Sequence, residues 1–209
     1  MQVRSETLSA KLKPRVKPWA GSLGLIALFA ALTALGARVT IPLPFTPVPM
    51  TLQVLFVLLS GLLLGSRLGM LSQMAYLTAG LIGMPIFAAG RGGPLVLLGP
   101  TGGYLMGFPL AAFVVGLISE RRAEAGRGLA PLPTKWATFG AALVGVAAIY
   151  LLGATWLGLW LNMTRQLPPS TCLLQAWQKG VLPFIAVDTA KALIAVTIVE
   201  GNLRRRFSR

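Results

Sequence analysis

The sequence predicts an all-α membrane protein of six transmembrane helices, with both chain ends on the inner side and a ligand cavity open to the outside. Two observations carry the fold class. Of 209 residues, 55% are hydrophobic and only 11% charged, where a soluble domain has about a quarter of its residues charged. Apolar stretches recur along the whole length, as in a polytopic helical bundle. A third observation orients the bundle: the basic residues gather in short segments beside the apolar runs.

The predicted spans are Ser22 to Ala37, Thr51 to Gly65, Leu68 to Ala88, Gly99 to Ser119, Trp136 to Leu161 and Gly180 to Leu203. They form one transmembrane domain, 22–203, between a basic N-terminus, 1–21, and a basic tail, 204–209. The second span is short for a hydrocarbon core of about 30 Å at about 1.5 Å per residue. The first follows a basic start, as a signal peptide would, but it lacks a clear small-residue cleavage site and five more spans follow, so it is read as a span. With the N-terminus inside, the inner segments hold 14 of the 19 basic residues. The five others are Arg38, Arg91, Arg165, Lys179 and Lys191. This bias fixes N-in and C-in. All five tryptophans fall at or near span ends, as an interfacial belt requires.

Composition excludes several classes of function. The net charge of +14 is a topology signal rather than a nucleic-acid surface, because it is not gathered on one face of a soluble domain. There is no histidine and a single cysteine, Cys172, so no metal is expected, no internal disulfide can form, and the commonest general base is missing. No G-x-x-x-x-G-K-[ST] occurs, so the chain itself carries no P-loop. No cofactor is expected.

Three segments fall outside in this orientation. Arg38–Met50 holds four prolines, Pro42, Pro44, Pro47 and Pro49, which fix φ and keep their predecessors extended. Such a loop suits a stiff lid, although an ordinary connector is equally compatible. The segment GRGGPLVLLGPTGGYLMGF, Gly90 to Phe108, holds seven glycines. Its one charge, Arg91, beside accessible backbone amides would make a carboxylate-binding corner, or is simply a solvated loop charge. Gly99, Gly103 and Gly107 recur at intervals of four and suit close helix packing. Tyr104, one turn into the fourth span, faces either a pocket or the interface belt. The third outer segment is Asn162–Lys179.

Within GVLPFIAVDTAKALIAV, Asp188 is the one acidic residue that does not lie in or beside an inner segment, with Lys191 three residues on and so on the same helix face. A charge about 12 Å below the outer end costs at least about 2.5 kcal/mol. The pair is either a structural ion pair or a polar site for a ligand that both donates and accepts, since Asp offers acceptors and Lys donors. In the first span, Ala27/Ala31 and Ala30/Ala34 make a smooth stripe for another helix, internal or foreign.

The stretches IPLPFTPVPMTLQVLFVLLSGLLLG, AYLTAGLIGMPIFAAGRGGPLVLLGPTGGYLMGF and LPFIAVDTAKALIAV resemble the BioY family, the biotin-binding S components of energy-coupling-factor transporters. The likeness runs from about Ala30 to Val196, and its GPTGGYL core is specific. It implies a prokaryotic cell-membrane protein that captures biotin from outside and works with a membrane coupling protein and two cytoplasmic ATPases, or by self-association. It implies that Asp188 and Lys191 engage the ligand, that Arg91, Tyr104, Phe87, Gly90, Gly92 and Gly93 line the cavity, and that Pro44, Phe45, Pro47, Pro49 and Thr51 belong to a lid. Ala27, Ala30, Ala31 and Ala34 would face the coupling protein. On the residues alone, an intramembrane enzyme or assembly factor, or a proton-coupled secondary transporter using Asp188, stays open.

Overall fold

The computed structural model describes residues 19–125, 135–166 and 168–207. Most of the predicted basic N-terminus and most of the loop after the fourth predicted span lie outside the described residues. Helix α1 spans Trp19–Arg38. It ends where the proline-rich run begins. Strands β1 (Thr40–Ile41) and β2 (Met50–Thr51) pair antiparallel, Thr40 opposite Thr51, and pinch the base of that run. The ribbon stops at two residues because Pro42 and Pro49 have no N–H to continue a ladder.

Helix α2, Gln53–Leu81, is broken at Gly65, whose φ of 83° and ψ of −178° lie outside helical geometry. In a straight helix, residues 23 apart would be separated by about 35 Å. Instead, Gln53 Nε2 donates to Tyr76 OH at 2.7 Å, and Gln73 Nε2 to Ser60 Oγ at 3.2 Å. The chain therefore doubles back at Gly65 into two antiparallel arms. Glu120 secures the reversal. The Ser66 N–H donates to Glu120 Oε1 at 2.8 Å and the Ser66 hydroxyl to Oε2 at 2.7 Å, a carboxylate on the exposed amides at the start of the second arm. A Cβ at Gly65 would collide with that same carboxylate.

A 3-10 turn at Ala88–Gly90 and a one-turn helix α3, Leu95–Leu98, follow. Helix α4 (Gly102–Ala125) packs on the hairpin, and helix α5 (Lys135–Arg165) packs on α4. Cβ atoms at Gly103 and Gly107 would meet α5 at Trp156 and Ile149, so the predicted close packing of the fourth span is present. Helix α6, Pro169–Gly180, and helix α7, Ile185–Phe207, meet at a bend of 49°.

The core runs through Val57, Leu58, Tyr76, Ala112, Val115, Ile149 and Leu157, while Leu23, Leu28, Leu35 and Leu151 face outward. Apolar outer surface of this kind is what lipid contact requires. A buried polar chain ties α1 to both arms of α2: Thr33 Oγ1 lies 3.3 Å from Gln73 Oε1, and Gln73 Nε2 donates to Ser60 and Ser72.

Among the described residues, four helices are long and apolar enough to cross a membrane, α1, α2, α4 and α5, or five when the bent pair α6/α7 counts as one span. The expected six differ from this because the second and third predicted spans are the two arms of α2. The outer segment Asn162–Lys179, read as a loop, contains α6. That helix has only 12 residues, too few to show as an apolar run, and Pro168 and Pro169 mark its start. The last helix starts at Ile185 rather than Gly180, because Pro183 interrupts it. It continues to Phe207, through residues predicted as tail.

Candidate functional site

Three helices begin around one cavity. The first turns of α2, α4 and α7 supply Gln53 and Val54, Tyr104 and Leu105, and Asp188 to its walls. Helix N-termini carry unpaired N–H groups and a positive partial charge, so the cavity favours acceptor oxygens before any side chain is counted. Helix α5 closes one side with Ile149 and Tyr150, and the proline-rich loop with the strand that follows it adds Val48, Pro49 and Thr51. The cavity and its open mouth together hold about 610 Å³ of empty space.

Asp188 and Lys191 form its polar floor. Lys191 Nζ donates to Asp188 Oδ1 at 2.7 Å, and the Tyr150 hydroxyl donates to Asp188 Oδ2 at 2.7 Å. Both charged residues are buried, at 2% and 4% exposure. Tyr150 is the sixteenth of the 31 residues of α5, so its bond to Asp188 fixes the pair at mid-bundle. Asp188 nevertheless lies in the first turn of α7. The bend before Ile185 resolves the tension, because it starts a helix inside the bundle and aims a positive dipole end at a buried carboxylate. Discontinuous helices of this kind are how transporters build sites at the midplane. The ammonium of Lys191 makes one hydrogen bond and carries three donors.

Tyr104 enters from α4. Its hydroxyl donates to the Gly180 carbonyl at 2.8 Å. Its ring fills the space a Cβ at Gly153 would need. Nearby, the Trp156 indole N–H donates to Gly99 O at 2.8 Å and pins the turn before α4. Gln53 reaches the cavity from the end of the proline-rich loop: it donates to Tyr76, which donates to Ile86 O at 3.1 Å, while Thr51 Oγ1 donates to Gln53 Oε1 at 3.0 Å. The end of the proline-rich loop, the α2 hairpin and the turn at Ile86 are thereby joined through one amide. The proline-rich loop is also tied to α6, where Thr46 Oγ1 donates to Lys179 O at 2.7 Å.

Of the residues singled out in the sequence, Asp188, Lys191, Arg91, Tyr104, Pro49 and Thr51 line the cavity. Phe87 does not. It is 1% exposed and packs edge-on against Tyr76, ring centroids 5.5 Å apart, with Gly80 beneath it. An aromatic before a glycine-rich loop serves as readily in the core as in a pocket. Gly90, Gly92 and Gly93 shape the loop rather than line the cavity: Gly90 and Gly93 have positive φ, and a Cβ at Gly92 would collide with Met84 O. Pro44 and Phe45 are exposed, and Pro47 lines an outer recess. Ala27 and Ala31 face outward, while Ala30 and Ala34 are half-buried against the core. The stripe is therefore divided between two faces.

Tyr150, Gln53, Thr101 and Phe184 also line the cavity and were not anticipated. Tyr150 had a faint signal, a hydroxyl amid the apolar run AAIYLLG.

The sequence profile described as the BioY family matches residues 6–209. A protein of Pyrococcus horikoshii named a probable biotin transporter BioY is 41% identical over 181 residues, covering 87% of this chain and 95% of its own. The biotin transporter BioY of Thermotoga maritima is 39% identical over 171 residues, covering 82% and 89%. Among solved structures, the S-component for biotin from an ECF-type ABC transporter superposes with a TM-score of 0.73 at 29% identity, covering 90% of this chain and 92% of that one. The chain belongs to the BioY family.

Proposed function

We propose that the chain is the biotin-capturing membrane subunit of an uptake transporter. The observation that carries the reading is the buried Asp188–Lys191 pair, braced by Tyr150, on the floor of the cavity in a chain of this family. The ureido ring of biotin has two N–H donors and one carbonyl acceptor. The carboxylate of Asp188 accepts an N–H, and the spare donors of Lys191 meet the carbonyl. The apolar wall of Val54, Leu105, Phe108 and Ile149 suits the valerate chain, with its carboxylate toward Arg91 at the rim.

The chain crosses the membrane six times in this reading, counting α1, the two arms of α2, α4, α5 and the bent pair α6/α7. Both ends are inside, as the basic bias requires. The mouth then faces outward under the proline-rich lid. The chain resides in a prokaryotic cell membrane. Lacking a nucleotide-binding motif, it draws on a coupling protein and ATPase partners for energy, and the exposed face of α1 with Ala27 and Ala31 meets that coupling protein.

Calorimetric titration of purified Asp188→Asn and Lys191→Met variants tests the assignment. Each variant loses a charge-assisted hydrogen bond worth about 1.5–3 kcal/mol, so biotin affinity falls by about 10- to 150-fold. Variants that retain the thermal midpoint and bind biotin as tightly as the parent contradict it.

A further inference from the structure

Outside the cavity, between the lid and the glycine-rich loop, lies a second recess of about 830 Å³, mouth included. It shares Pro49 and Arg91 with the cavity, so the two spaces adjoin at those residues. Its other charged residue is Arg38, at the end of α1. Arg38 Nη2 donates to Pro85 O at 2.9 Å, and a Cβ at Gly90 would lie 3.6 Å from Arg38 Nη1. The guanidinium is thus held against the turn that carries Arg91. The bond to Pro85 uses one of its five donors. No carboxylate pairs with either arginine among the described residues, where the one ion pair is Lys191–Asp188. Two uncompensated cations on the rim of one recess repel each other, and an anion in the recess relieves that repulsion. They are also two of the five basic residues that depart from the inner-side bias.

We propose that this recess is an entry site for a carboxylate ligand, in which Arg38 holds the anion before it passes Arg91 and Pro49 into the cavity. The proposal rests on the biotin reading for the identity of the anion, the free valerate carboxylate. A charge at a rim governs arrival more than residence. Arg38 therefore sets the association rate and its dependence on salt, while Asp188 and Lys191 set the dissociation rate.

The test is stopped-flow binding of biotin, and of the uncharged biotin amide, to the protein in phosphatidylcholine nanodiscs at low and high ionic strength. Arg38→Gln is expected to slow biotin association about three- to tenfold at low salt and to flatten its salt dependence, with dissociation unchanged. Arg38→Lys keeps the charge and association close to the parent's. The amide associates equally with parent and Arg38→Gln. Arg38→Gln associating with biotin as fast as the parent overturns the proposal. So does a loss that appears only in dissociation with the salt dependence intact, the result expected if Arg38 merely tethers Pro85. A parent that binds no biotin overturns the underlying functional reading instead, whatever the variant does.

Discussion

Asp188 was legible in the sequence because a carboxylate in an apolar run is costly unless compensated, and Lys191 because it falls one helical turn away. Tyr150 was not legible. A neutral hydroxyl in an apolar span carries no penalty that demands explanation, and nothing local ties residue 150 to residue 188. Only the fold shows that Asp188 has both oxygens engaged, one by each neighbour. Tyr150→Phe leaves Oδ2 without its donor and frees the carboxylate to turn. We expect biotin affinity to fall about tenfold, about 1.4 kcal/mol, with a lower thermal midpoint, and calorimetry alongside thermal unfolding checks both. Phe87 taught the opposite lesson. Proximity to the glycine-rich loop suggested a pocket residue, but Gly80 opens a slot that the ring fills, and its chemistry suits a core as well as a cavity.

Among the elements, the two arms of α2 were readable as two apolar runs, and Gly65 marked their boundary. The cap that fixes the reversal was not, because Glu120 lies 54 residues from Ser66. Gly65→Ala must place a Cβ against that carboxylate at a φ of 83°. It should destabilise the protein by about 1–3 kcal/mol, read as a lower thermal midpoint in detergent. Helix α6 escaped the sequence because 12 residues cannot span a membrane, yet it anchors the proline-rich loop through Thr46. Thr46→Val removes the bond to Lys179 O. If the proline-rich loop is a lid, the variant should release biotin about two- to tenfold faster with little change in association, which a chase with unlabelled biotin would measure.

For the whole molecule, the charge bias predicts that the lid and the Gly65 reversal lie on opposite sides of the membrane. Cys172 is buried, so added cysteines can be probed against a low background. An impermeant thiol reagent should label Phe45→Cys in intact cells and Arg67→Cys only after permeabilisation; the reverse pattern would invert the topology. The bundle's outline followed from composition, because apolar length and basic segments are summed over many residues. The cavity did not, since it depends on three helices starting at one level, and on a bend that carries the start of α7 to the midpoint of α5.

The central claim is that the ureido ring lies on the Asp188–Lys191 floor. Calorimetric titration with biotin and with 2-iminobiotin, in which the ureido oxygen is replaced by nitrogen while the rest is kept, tests it most directly. Biotin is expected to bind tightly and the imino analogue with an affinity at least about tenfold lower, because the donors of Lys191 lose their carbonyl partner. Equal affinity for the two would contradict it.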